Sequence, residues 1–87
     1  MSILRMPEVK KKTGHRSHAS IYNAIHKGLF TKPVRIGMRS VGWPSDEVDK
    51  INAARIAGKT ELQIRELVEQ LHYERCVHFV EIARSNG

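Results

Sequence analysis

The chain has 87 residues, with 15 Lys/Arg against 9 Asp/Glu, a formal net charge of +6 and a pI near 9.9. That length holds one small domain plus one added element, and a core of this size gains from burial against a partner. A single cysteine excludes an intramolecular disulfide and hence a secreted disulfide scaffold; residues 1–7 hold no signal-type apolar run and no stretch approaches a membrane span, so a cytoplasmic protein with no membrane association is expected.

The charge is unevenly placed. Residues 1–44 carry nine Lys/Arg against Glu8 alone, a net +8, whereas residues 45–87 carry six against eight acids, a net −2. A basic half beside an acidic half points to one face for a polyanion.

Ile3 and Leu4 form a short apolar lead-in expected to pack on the core. Pro7 suits a first helical position, Glu8 the positive helix end, and Lys10, Lys11 and Lys12 the negative end, with Gly14 as a left-handed stop. A two-turn helix is therefore predicted over 7–13. The lysines complement the helix dipole and are equally placed to meet phosphates. After a turn at His15 and Arg16, Ser17 is the expected N-cap of a second helix over 18–27. Ile21, Ala24 and Ile25 share its inner face, Tyr22 borders it, and Gly28 ends it. So short a turn favours a helix-turn-helix crossing.

Leu29 and Phe30 read as an apolar plug beneath a hairpin over 31–43. Pro33 fits a strand start, Val34, Ile36 and Val41 fit strands, and Gly37 and Gly42 supply bends. Trp43 is read as a core anchor rather than a stacking platform. Lys32 and Arg35 lie along the strands and Arg39 at or near the tip. A helix pair followed by a basic hairpin is the layout of a winged helix-turn-helix, with one element for a major groove and the other for a minor groove or phosphate row.

Ser45, Asp46 and Glu47 open a third helix as a cap-type residue and two acids; Val48, Ile51, Ala54 and the stem of Arg55 form its stripe, and Gly58 stops it. Thr60 and Gln63 form a capping box for a fourth helix. There Ile64, Leu67, Val68 and Leu71 make one stripe, and Tyr73, Cys76, Val77 and Val80 a second of the same spacing. The step from Leu71 to Tyr73 is about 200°, which places the stripes on opposite sides. Either the helix breaks near His72 and the tail folds back, or the second stripe, with Phe79 beside it, covers a second copy of the chain. The fold class expected is mainly α with a small β-hairpin, organised as a winged helix-turn-helix domain over 1–58 and a C-terminal helical extension over 59–87, a candidate dimerisation element.

The blocks Met6-Pro7-Glu8-Val9, Thr13-Gly14, Ser20-Ile21-Tyr22, Lys27-Gly28-Leu29-Phe30, Pro33-Val34-Arg35-Ile36-Gly37, Arg39-Ser40-Val41-Gly42-Trp43 and Ser45-Asp46-Glu47-Val48 closely resemble the AlpA family of phage and prophage regulators. The resemblance covers residues 3 to 57. It implies a winged helix similar to those of excisionases and MerR-type proteins, and a role in transcriptional regulation of prophage or island genes. Some similar small proteins act as excisionases. The chain departs from many relatives where the second helix opens, with His18-Ala19-Ser20 in place of a basic residue and a Ser/Thr pair.

The expected DNA-binding residues are Lys12, Arg16, Ser17, His18, Ser20 and Asn23 on and before the second helix, and Lys32, Arg35 and Arg39 on the wing. Arg suits guanine O6/N7, Asn suits adenine N6/N7, and an Arg at the wing tip suits a narrow minor groove. The bland alternatives are that Ser17 only caps, that Asn23 is only solvated, and that the wing is an edge strand charged against aggregation. His72, Cys76 and His78 fall short of a metal site because His78 leaves the shared face; Cys76 is read as a small buried apolar residue. No spacing suggests catalysis or a cofactor. The partner expected is double-stranded DNA on the nucleoid, bound by a homodimer as a promoter regulator in contact with RNA polymerase, as an excisionase in contact with an integrase, or, third, a protein-interaction adaptor with weak DNA binding.

Overall fold

The computed structural model describes residues 2–86. The elements run β1 (Ile3–Leu4), α1 (Met6–Thr13), α2 (His18–His26), β2 (Val34–Arg35), β3 (Val41–Pro44), α3 (Ser45–Ile56) and α4 (Glu61–Asn86). This is a mainly helical winged helix-turn-helix with a C-terminal helix, as the sequence predicts. The local signals act where expected. Gly14, Gly28 and Gly58 adopt positive φ at three helix ends. Ser17 Oγ caps α2 by accepting the Ser20 N–H, and Thr60 and Gln63 exchange the two bonds of a capping box before α4.

The sheet has one strand more than the hairpin. β1 pairs antiparallel with β3, Ile3 opposite Pro44 and Leu4 opposite Trp43, so β3 is central in the order β1-β3-β2. On its other side Val34 faces Gly42 and Arg35 faces Val41. Gly42 is required by close approach: a Cβ there would press on the Ile3 side chain and sit 2.9 Å from the Leu4 carbonyl oxygen. Ser45, expected as a cap, instead extends this edge; its hydroxyl accepts the Ser2 N–H at 3.0 Å, and its own N–H donates to Ser2 O at 2.7 Å.

The core gathers residues from every helix. Val9, Ile21, Trp43, Val48 and Ile51 are fully buried, and Leu4, Leu29 and Phe30 close around them. The Trp43 indole N–H donates to the Thr31 carbonyl at 2.8 Å, and the ring lies 6.0 Å from Phe30 in a tilted contact. Trp43 is thus the anchor the sequence suggests. Ile64, Val68 and Leu71 of α4 belong to the same core.

Helix α4 runs unbroken through His72, against the predicted alternative of a break. No glycine or proline interrupts residues 59–86, so nothing in the chain ends the hydrogen-bond ladder there. Burial nevertheless stops at Leu71. Beyond it Tyr73 is 65% and Phe79 71% exposed, and Val77, Val80 and Ile82 are also exposed. Cys76 is exposed as well, contrary to the buried position expected of it, because this half of the helix outruns the core. No helix among the described residues is long and apolar enough to cross a membrane.

A polar clasp joins α4 to the rest. Glu47, only 4% exposed, receives Arg75 in a two-point ion pair, with Nε to Oε2 at 2.7 Å and Nη2 to Oε1 at 2.5 Å. Arg75 Nη2 also donates to Lys32 O at 2.8 Å, while the Lys32 N–H donates to His72 Nε2 at 3.0 Å. Both polar groups of the Lys32 peptide, just before β2, are therefore held by α4. To accept that bond His72 must be neutral at Nε2. Burial, then Arg75, hold its pKa below the ordinary 6.5, with Lys32 adding to the effect and Glu47 opposing it. His15, whose Nδ1 lies 2.5 Å from Ser20 Oγ across the helix-turn-helix turn, is lowered by burial and then by Arg55.

Both imidazoles accept protons less readily in the folded chain than in the unfolded one. Their contribution is complete above pH 6.5 and is lost as pH falls through their folded values. Urea titrations should give a lower midpoint on the acid side of 6.5 than at neutral pH. The double variant His15→Gln, His72→Gln should lose that part of the pH dependence; an unaltered pH profile in the variant would show that neither imidazole carries it.

Candidate nucleic-acid interface

The first half of the site is the turn between α1 and α2 with the exposed side of α2. Arg16, Ser17, His18 and Asn23 are all exposed there. Ser17 is committed to its cap, in line with the bland alternative for that residue. Ser20 is half-buried and its hydroxyl is engaged by His15, so a base contact from it competes with that bond. Among the described residues the side chains of Arg16, His18 and Asn23 carry no such commitment. The inner face of α2 is filled by Ile21 and Ala24, and its C-terminal end is capped from α4 by Arg65, whose Nε donates to Lys27 O at 2.9 Å. That bond and the Ser17 cap fix both ends of the helix.

The wing forms the second half. The Ile36 N–H donates to Ser40 O at 3.0 Å and closes the tip. Arg35, Arg39 and Lys32 are exposed. Met38 at the tip is 95% exposed, an apolar group next to Arg39 that no periodicity would single out. The wing is anchored at its base by the Trp43–Thr31 bond and by the His72 and Arg75 bonds to Lys32.

Ion pairing sorts the cations. Lys12 binds Asp49 at 3.1 Å, and Asn52 donates to Lys12 O, so this predicted contact residue joins α1 to α3. Lys50, Arg65 and Arg75 are paired with Glu74, Glu61 and Glu47. Among the described residues Arg16, Lys32, Arg35 and Arg39 have no carboxylate partner. Carboxylates of the C-terminal half thus engage Lys12, Lys50, Arg65 and Arg75, while the cations of the turn and wing have none.

Sequence reasoning missed Arg55. Its position on the apolar stripe of α3 suggested a stem packed inward, but the residue is exposed and lines a niche with Thr13, Gly14, His15, Arg16 and Ser20. Sequence spacing offered no signal, since α3 and the turn meet only in the fold. Among the described residues no three His, Cys, Asp or Glu side chains gather where a metal ion could sit. The predicted seam residues Tyr73, Cys76, Val77 and Val80 lie together on the overhanging part of α4.

Comparison with known proteins agrees with the geometry. Residues 2–56 match the family model described as prophage CP4-57 regulatory protein (AlpA). Over 56 residues the chain is 43% identical to the uncharacterized protein ORF88 of Enterobacteria phage P4, covering 64% of this chain and 62% of that protein. The chain thus spans somewhat under two-thirds of the length of that relative. No solved structure matches it. The family match takes in both strands of the wing, the helix-turn-helix and all of α3, and the chain belongs to the AlpA family of prophage regulatory proteins.

Proposed function

We propose that the chain is a sequence-specific double-stranded DNA-binding regulator of prophage or mobile-element genes. It is a binder without catalysis or cofactor and acts on the host nucleoid. The observation that carries this reading is the placement of charge: among the described residues Arg16, Lys32, Arg35 and Arg39 stand exposed with no carboxylate partner, in the half of the chain that holds a net +8. Free cations on a fixed helix and hairpin suit a phosphate backbone, and Asn23 and His18 on α2 suit base edges. Regulation through a promoter and RNA polymerase is favoured. The alternative, an excisionase that bends attachment-site DNA beside an integrase, uses the same reader. A footprint on the host element separates them by falling on a promoter or on attachment-site repeats. A protein-interaction adaptor with weak DNA affinity is the third reading, and strong salt-dependent duplex binding counts against it.

Replacing Lys32, Arg35 and Arg39 together by Ala should weaken binding to every duplex and reduce the slope of log K against log salt by about 0.9 for every phosphate no longer neutralised. Asn23→Ala should instead relax discrimination at one base pair by about 1–3 kcal/mol, read from a selected-sequence profile. A triple variant with the wild-type slope, or an unchanged profile, would remove the wing or Asn23 from the reader.

The overhang of α4 supports a homodimer. Tyr73, Cys76, Val77 and Val80 are the proposed seam, with Phe79 beside them. Apolar groups lie on more than one side of this exposed helix, and the chain's own core ends at Leu71. A second copy of α4 supplies a matching apolar surface, and pairing two small readers raises affinity and sets site spacing. Val77→Asp should give a folded monomer by sedimentation that binds DNA more weakly. A wild-type chain that sediments as a monomer at high micromolar concentration, with and without DNA, would rule the dimer out.

A further inference from the structure

The niche at the helix-turn-helix turn is a second kind of contact, formed by the tertiary fold and not by either DNA-facing element alone. It has a volume of about 460 Å³ and is lined by Thr13, Gly14, His15, Arg16, Ser20 and Arg55. These come from the end of α1, the turn, the first turn of α2 and the last turn of α3. Two guanidiniums and an imidazole face this space, and no carboxylate lines it. Among the described residues neither Arg16 nor Arg55 has an ion-pair partner.

Positive groups gathered in a concavity repel one another unless an anion joins them. Burial first and then Arg55 hold the proton affinity of His15 below the ordinary value. The planar guanidinium matches the oxygens of a phosphodiester in pairs, which an ammonium cannot do. Gly14 borders open space, since a Cβ there would meet nothing within 4 Å. Arg16 and Ser20 also belong to the predicted reading face, so an anion held here would lie beside α2. We propose that this niche grips a backbone phosphate of the bound duplex between Arg16 and Arg55, with His15 on its wall, and so sets the register of α2 against the bases. Arg55 thereby becomes a DNA-contacting residue contributed by α3. This inference rests on the DNA-binding reading above and assigns that reading a further contact.

The test combines two titrations of the full chain. In the first, duplex binding is followed over a salt series for wild type, Arg55→Ala and Arg55→Lys. Arg55→Ala should reduce the salt slope by about 0.9 and weaken all duplexes alike. Arg55→Lys should retain the slope, because one charge still meets the phosphate, but bind more weakly for want of the paired contact. Arg55 is exposed, so circular dichroism should show both variants folded. In the second, inorganic phosphate is added to the protein alone and the His15 ring and Ser20 amide are followed by NMR. A saturable shift is expected in wild type and should be absent in Arg16→Ala and Arg55→Ala. If wild type binds DNA and Arg55→Ala keeps its full slope, the niche proposal is overturned and the DNA-binding reading stands. If wild type shows no salt-dependent duplex binding, both are overturned, whatever inorganic phosphate does.

Discussion

The buried indole of Trp43 is the constraint on which the geometry of the molecule depends. It sits on the central strand of the sheet, wholly removed from water, and its N–H is bonded to Thr31 O at 2.8 Å. The hydrogen bond spans the wing, joining the segment before β2 to the strand after the tip. Truncating so large a buried side chain costs about 3–5 kcal/mol, a sizeable fraction of the stability of a domain this small. Phe30 supports the ring from the end of the helix-turn-helix, so the same packing ties the wing to the helices.

Helix α4 completes that constraint. Its first half closes the core through Ile64, Val68 and Leu71. Its middle holds the Lys32 peptide from both sides through His72 and Arg75, and Arg75 is in turn fixed by the buried carboxylate of Glu47. Removing Arg75 would strand that carboxylate in the interior, which is costlier than never having buried the pair. Arg65 meanwhile caps α2. The C-terminal helix therefore holds both proposed DNA-facing elements, α2 and the wing, while its distal half extends free of the core.

What the sequence revealed was local. Gly14, Gly28, Gly58, the Ser17 cap and the Thr60–Gln63 box each act within four residues, and each is found in place. Trp43 was legible because an isolated large aromatic between a strand and a helix start has few other uses. The hidden features pair residues distant in sequence. Ile3 and Leu4 offer too few residues to announce a strand, and their approach to β3 leaves no room for a Cβ at Gly42. Glu47 looked like a dipole-complementing acid because its partner is 28 positions away. Arg55 sat on an apolar stripe whose periodicity concealed where its head group goes. The continuity of α4 was readable in principle, since residues 59–86 contain no breaker; the opposed stripes drew attention to a break that backbone chemistry gives no reason to expect.

The central claim is that α2 and the wing, held as one unit by Trp43 and α4, form the surface that meets duplex DNA. Amide chemical-shift mapping of the full chain against a duplex taken from its host element tests it most directly. The account predicts shifts concentrated at residues 16–23 and 36–40, with the amides of the buried core nearly unmoved. Shifts confined to residues 73–84, with α2 and the wing unchanged on saturation, would contradict it.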